Sequence, residues 1–377
     1  MKRRDSISGH AGVWLVSVCA ALLLVLCMGM PVLAGVVGPS GKEGAADHDN
    51  IQEELNNTGS VTLVSGATYY LDDSIRVRSN QTIDATGATI YLVRAAVRNA
   101  TSTFKTDYSS LKNLTIKGGK WRTKNPNGTS GTTFSFAHSS NIKLLDMDIA
   151  CTSPKGHAIE LVACNNVTVK GCTISPKGTS KKKGQQEMLQ IDLATPKTAP
   201  FLAKTSTKLQ NGLACRNIHV IGNTITGDRA VCCNHASKEP KFKKYYHENI
   251  DIRNNTLIGR KAEALAVFNT ITATITGNTI ICYSSRVKEA YSVGLHVALF
   301  GKAKDFASKA NIVVTNNIIK GGRSAFHILS HTKYRYKKLT IQNNKLYCKK
   351  GKKRALSIST VKKVKKSKNK CYNWNGK

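Results

Sequence analysis

Asn166-Val-Thr-Val-Lys-Gly-Cys-Thr-Ile174, Asn217-Ile-His-Val-Ile-Gly-Asn-Thr-Ile225 and Asn249-Ile-Asp-Ile-Arg-Asn-Asn-Thr-Leu257 are one pattern written three times. Four further copies align without gaps at Asn141–Ile149, Thr272–Ile280, Asn311–Ile319 and Lys338–Leu346. An eighth begins at Asn113, and Asn80-Gln-Thr-Ile-Asp84 with Ala88-Thr-Ile90 points to still earlier turns of the same repeat. In each copy apolar and polar residues alternate, which buries one face of a short strand; a Gly-Asn or Asn-Asn pair then turns the chain into a second short strand. The turn asparagine recurs at Asn223, Asn255, Asn278, Asn317 and Asn344. Asparagine tolerates the left-handed backbone region and bonds neighbouring backbone, so this column predicts a ladder of stacked side chains inside a corner. Met147 and Cys172 replace it in two earlier copies, where the ladder should be absent.

The copies start 28, 25, 51, 32, 23, 39 and 27 residues apart. The shortest intervals fit one circuit of a solenoid, and the longer ones carry loops that one-dimensional packing tolerates. Cysteines keep the register too: Cys151, Cys282 and Cys348 share one position, Cys164 and Cys215 another. Cys232, Cys233 and Cys371 complete an odd set at no metal-like spacing, which predicts small buried hydrophobes rather than a disulfide framework.

These residues resemble the pectate-lyase-like superfamily over roughly Asp49 to Cys348. Ile51-Gln-Glu-Glu-Leu55, followed by Val61-Thr-Leu63, Gly66, Tyr69 to Leu71 and Ser79 to Ile83, looks like that superfamily's N-terminal helix and first coil. The resemblance implies an all-β fold, a single-stranded right-handed parallel β-helix with a short N-terminal capping helix. It does not imply one activity, since the superfamily includes lyases, hydrolases, phage tailspikes and adhesins. A polygalacturonase Asn-x-Asp plus Asp-Asp arrangement is missing, and Arg229, Arg260 and Lys261 match no lyase motif.

Lys2, Arg3 and Arg4 precede an apolar run from Val13 to Met30 that closes with Val32-Leu33-Ala34. That predicts a signal peptide over 1–34, cleaved after Ala34; Pro31 and the Val-x-Ala ending argue against an uncleaved membrane anchor. Residues 35–48 then read as a linker, 49–348 as the β-helix, and 349–377 as a basic C-terminal end in which Ala355 to Ser359 can add a last strand. No later segment is apolar enough to span a membrane. The expected location is outside the cell, with retention at the envelope by charge.

The chain carries 57 Lys+Arg against 22 Asp+Glu, a formal net charge of +35. Such an excess calls for a polyanion, and export selects an acidic polysaccharide or an anionic cell-wall polymer. Nucleic acid fits poorly, because aromatics are only 6% and no single-strand stacking platform is visible.

The strand some six residues before each copy should form another sheet, and its outward positions are chemically unusual. Glu160, Gln190, Asp192, His296 and His327 alternate with Ile159, Leu161, Leu189, Ile191, Leu193, Leu295, Val297, Phe326 and Ile328, so the polar set should project along one line. Glu160 and Asp192, one coil apart, are the candidate acid, base or nucleophile, with His235 on the following coil assisting proton transfer. His157, Glu187, Gln190, His296, His327 and Lys182 are candidate substrate-binding groups, the last in the basic insertion at Lys181 to Lys183. No resident cofactor is assigned; Ca²⁺ held by the Glu160 and Asp192 carboxylates with Gln190 or Glu187 is a candidate. The expected function is a secreted polysaccharide hydrolase or lyase acting on an acidic polysaccharide, with a non-catalytic glycan-binding or envelope β-helix as the alternative.

Overall fold

The computed structural model describes residues 35–41, 47–93, 95–123, 132–151, 156–176, 187–239, 241–242, 245–284, 291–302 and 304–376. The expected signal peptide lies outside them, as do Lys181 to Lys183. Within them the chain is a right-handed parallel β-helix of three sheets with 12, 11 and 10 strands, every neighbour parallel. Each circuit contributes one strand to each sheet, so residues far apart in sequence become neighbours one rung apart.

The repeat read from sequence is the hydrogen-bonded register. In the 12-stranded sheet Leu114, Ile142, Val167, Ile218, Ile250, Ala273, Ile312 and Leu339 pair successively and point inward. In the 11-stranded sheet Ile149, Ile174, Ile225, Leu257, Ile280, Ile319 and Leu346 do the same. Alternation puts these branched side chains in one continuous core, to which Trp121, Phe134, Phe136 and Phe326 add the bulk.

Two asparagine ladders hold the corners. The buried one runs Asn223, Asn255, Asn278, Asn317, Asn344 and Asn369, each Oδ1 accepting the backbone N–H of the preceding coil's ladder residue. It begins where Cys172 N–H donates to Asn223, which agrees with the expected absence of the ladder in the earlier coils. The residue before each rung takes the left-handed conformation: Gly222, Asn254, Gly277, Asn316 and Asn343 are Gly or Asn, and Lys368 precedes the last rung. A second ladder, on the surface, links the residues that open the copies, Asn80, Asn113, Asn141 and Asn166, and further on Asn217 and Asn249, all at positive φ.

The capping helix spans Asp47–Thr58 and buries Ile51 and Leu55 against the first coil. Its Asp47 accepts the N–H groups of Ser40 and Tyr70, which fixes the helix over the open end of the core. Two boundaries differ from expectation. Gly35–Val37, inside the expected linker, pairs in parallel with Ser60–Leu63 as the outermost strand of its sheet. At the other end the basic stretch is a further coil rather than a tail, with strands Leu356–Ile358, Val361–Ser367 and Lys370–Asn373 in all three sheets. Its lysines hid the repeat from sequence, but Val364 takes the register of Leu339, Cys371 that of Leu346, and Asn369 ends the buried ladder. Lysines on the last strand of a sheet also discourage further edge pairing.

The eight cysteines whose side chains are described are free thiols, seven of them buried, as their apolar register predicts.

Candidate functional site

The ten-stranded sheet carries the chemistry on its outer face. Pairing places Arg76, Arg98, Ser135, Glu160, Gln190, Cys232, Ala266, His296, His327 and Ser357 in a single column along the helix axis. Of the expected outward line, Glu160, Gln190, His296 and His327 belong to it. Asp192 lies two residues further along its strand, paired with Val162. The outer face is not an open groove, because loops fold back over it. Ala137, Val162, Ala163 and Ala194 form an apolar patch that Ala199, Leu202 and Leu209 of the following insertion cover. The sequence signal for that cover was a set of small apolar residues at outward positions.

The same insertion builds a cavity of about 370 Å³ above Glu160. Its walls are Arg76, Arg98 and Ser135 from the sheet, Thr101 and Phe104 from one loop, and Phe201, Lys204 and Thr205 from the insertion. Glu160 is 8% exposed and accepts a hydrogen bond of 3.0 Å from Ser135 Oγ. Burial pushes its carboxyl above the usual range, opposed by the nearby His157, Ser135 and Arg98. Beside it, burial and the charge of Arg76 push the Arg98 guanidinium down from its ordinary value. Arg98 Nε is buried without a hydrogen-bond partner among the described residues. Arg76 and Arg98 were absent from the expected site.

Asp192 does not line this cavity. It is 1% exposed and accepts from Gln190 Nε2 at 3.1 Å and from the Asn234 side chain. Burial, then the charge of Glu160, hold its carboxyl well above the usual carboxylate range. Gln190 Oε1 is left unpartnered among the described residues.

A second polar row runs beside the column. At the start of each strand the alternation slips by one residue: Ala158 with Ile159, Met188 with Leu189, Ala230 with Val231, and Ala264 with Leu265 all join the core. The slip turns His157, Glu187, Arg229 and Glu263 to the outer face. His157 Nδ1 donates to the Glu187 carbonyl at 2.8 Å; Arg229 bonds Glu187 at 2.8 Å and Glu263 at 2.6 Å; His296 Nδ1 donates to Glu263 at 2.9 Å. His157 and Glu187, expected to bind substrate, are thus engaged within the protein. Burial works against the charge of Arg229, but Cys232, Glu263 and Glu187 hold its guanidinium above the ordinary value. Glu263 escaped the sequence reading because strict alternation assigns it to the core.

His235 lies beyond the strand Arg229–Cys233 rather than in the sheet. Its ring stacks on Phe300 at 3.9 Å, and Phe300 in turn stacks on His331 at 4.5 Å. Burial, assisted by Lys238, lowers the His235 pKa to about 4. His296 and His327 are directly paired across strands, with ring centroids 5.4 Å apart. Tyr336 is fully buried in the core. The Ca²⁺ expectation finds no set of ligands: Glu187 is held by Arg229, Asp192 by Gln190 and Asn234, and no group of three His, Cys, Asp or Glu side chains suited to a metal gathers among the described residues. Lys182 lies outside those residues.

No family model matches the sequence, and no curated protein does. Among solved structures the chain is similar to two of PfbA, a surface adhesin of Streptococcus pneumoniae. One has 16% identity and a TM-score of 0.55, with 83% of this chain and 85% of that chain covered. The other has 17% identity and a TM-score of 0.55, with 89% and 91% covered. A double mutant of the tailspike protein of E. coli bacteriophage HK620 is similar at 13% identity and a TM-score of 0.41, over 88% of this chain and 64% of that one. The adhesin likenesses bear on the fold, which is the right-handed parallel β-helix described above.

Proposed function

We propose that the protein recognises an acidic polysaccharide, and that the cavity above Glu160 seats one anionic sugar residue against Arg98 and Arg76. The observation that carries this reading is Arg98: a cavity-lining guanidinium beside a second arginine, whose buried Nε has no hydrogen-bond partner among the described residues. Burial and the charge of Arg76 outweigh the opposing charges of Asp73 and Glu160, and a bound carboxylate would add negative charge and supply the hydrogen bond that Nε lacks among the described residues. Lys204 and Thr205 on the rim supply further polar contacts, while Phe104 and Phe201 offer apolar walls for a sugar ring. The surplus of basic residues over the whole chain would draw a polyanion to this face. With the basic leader, this reading puts the protein at or outside the cell envelope; among the described residues no helix is long and apolar enough to cross a membrane. The test is retention on uronate-containing polysaccharides. Wild-type protein should bind in a salt-sensitive manner, and Arg98→Gln should weaken binding about tenfold, from a charged hydrogen bond of about 1.5–3 kcal/mol. Equal binding by the variant would dismiss the cavity as the site.

Cleavage is a second reading, favoured by one observation: the Glu160 carboxyl keeps its proton to higher pH than an exposed glutamate and lines the cavity. It is therefore placed to act as a general acid toward a glycosidic oxygen. Hydrolysis also needs a second carboxylate on the same substrate. Asp192, the expected partner, is buried and does not line the cavity, so recognition is the reading the geometry supports better. New reducing ends, or unsaturated-product absorbance, lost in Glu160→Gln while binding persists, would establish cleavage. No product from any uronate polymer would leave binding alone.

A further inference from the structure

The column that begins with Arg76 and Arg98 ends in a second cavity, of about 240 Å³, lined by Arg323, Ser324, His327, Lys353, Arg354, Leu356 and Ser357. No acid lines it. The side chains of Arg323, Lys353 and Arg354 make no ion pair among the described residues, and they come from two different turns. Arg323 stands at the turn before the strand Ser324–Ser330, Lys353 and Arg354 on a 3-10 turn of the last coil, and His327 on the sheet floor. The basic run at Lys349 to Arg354 is here given a task beyond solvating the end of the solenoid.

We propose that this cavity binds a compact tetrahedral oxyanion, a phosphate or sulfate group. Four nitrogen-bearing side chains and two hydroxyls line it from the strand Ser324–Ser330 with its preceding turn, the 3-10 turn Lys352–Arg354 and the strand Leu356–Ile358, which suits three or four oxygens disposed around a centre. A planar carboxylate offers only two. The floor is prepared in the same sense. Burial and the charges of His296 and Arg323 lower the His327 pKa to about 4, so its imidazole is neutral in the empty cavity and gains a proton more readily once an anion arrives. Beneath, His296 is buried with Nε2 unpartnered among the described residues. His327 stands seven rungs from Arg98, roughly 34 Å at about 4.8 Å per rung, so one group cannot occupy both cavities. The proposal does not depend on the role given to Glu160.

The experiment titrates the full chain with inorganic phosphate, sulfate and acetate by calorimetry, and with a glycerol-phosphate polymer in parallel. Wild-type, Arg323→Gln, Arg354→Gln and Arg98→Gln proteins are compared. Phosphate and sulfate should bind in preference to acetate, Arg323→Gln and Arg354→Gln should each weaken them about tenfold, and Arg98→Gln should retain the binding component that those two variants lose. Polymer binding that falls with phosphate binding identifies a substituent on a chain as the source; polymer binding indifferent to Arg354→Gln identifies the free ion. The imidazole resonance of His327 supplies a readout that loss of fold cannot imitate. Its pKa should rise on adding phosphate to wild-type protein and rise less in Arg354→Gln, a surface change on the last coil. Equal affinity for acetate and phosphate, equal loss in Arg98→Gln, or a His327 titration insensitive to phosphate would each overturn the proposal.

Discussion

Arg229 Nη2 lies 2.6 Å from Glu263 Oε2, two residues before the adjacent strand Leu265–Phe268, with the two side chains 7% and 1% exposed, while its Nη1 reaches Glu187 at 2.8 Å. Burial alone would raise the Glu263 carboxyl, but Arg229 and His296 hold it below its usual range. Two acids and one base therefore stand or fall together. Arg229→Met should destabilise the protein by about 3–5 kcal/mol, because it leaves two carboxylates in a dry environment. Glu263→Gln should cost less, since Arg229 retains Glu187. Adding Glu263→Gln to Arg229→Met should recover part of the loss. Chemical denaturation of the three variants checks the order, and an Arg229→Met protein as stable as wild type would show that the row is solvated.

Asp192 gives a prediction of opposite sign. Its carboxyl is held well above the ordinary range by burial and by Glu160. The folded state thus keeps a proton that the unfolded chain releases. Its contribution is fully present below the unfolded value of about 4 and is lost as pH rises toward the folded one. Asp192→Asn cannot titrate and can still accept from Gln190 or Asn234. Its melting temperature should match wild type near pH 4 and exceed it progressively above, as seen by circular dichroism. The reverse trend would mean that Asp192 is ionised and paired in the native protein. If cleavage is found, an Asp192→Asn protein with full activity would also remove Asp192 from the chemistry.

The two asparagine ladders should respond differently to the same substitution. Asn278 is buried; its Oδ1 accepts the Asn255 N–H, and its Nδ2 donates to Asn317 Oδ1 and the Ile252 carbonyl. Asn278→Gly leaves several of these groups unsatisfied in the core, at about 1–3 kcal/mol each, so a loss above about 2 kcal/mol is expected. Asn249 is exposed, at φ 54°, where glycine is at ease. Asn249→Gly should cost less than about 1 kcal/mol, and Asn249→Val more than Asn249→Gly. Denaturation midpoints decide, and equal losses for the two glycine variants would mean that the inner ladder is dispensable.

The fold was legible because a solenoid writes its register into the sequence: Ile218, Ile250 and Ile312 align by eye for the same reason that they stack. The site was only partly legible, for two physical reasons. Loops break the spacing, so the chain between Asn99 and Leu111 hid Arg98, and that between Cys233 and Glu248 hid Cys232, although both occupy the column of Glu160. The one-residue slip at the start of each strand defeats period-two reasoning, which is why Glu263 was missed. The covering of Val162 and Ala194, beside Asp192, by Leu202 and Leu209 is a tertiary event that alternation alone does not encode.

Glu160 and Arg98 offer the last test, through pH. Burial raises the Glu160 carboxyl, and the positive charge of Arg98 is one of the opposing influences. Replacing Arg98 by glutamine removes that influence, so Glu160 should hold its proton to still higher pH. If ligand binding prefers the protonated carboxyl, as an anionic sugar beside it would, the alkaline limb of binding should move upward in Arg98→Gln even as affinity falls. Glu160→Gln, which imitates the protonated form, should flatten that limb and preserve affinity at neutral pH. Binding to a uronate polymer measured across pH in wild type and both variants separates electrostatics from shape. A limb that stays put in Arg98→Gln would show that some other group controls it, and a limb intact in Glu160→Gln would detach Glu160 from recognition altogether.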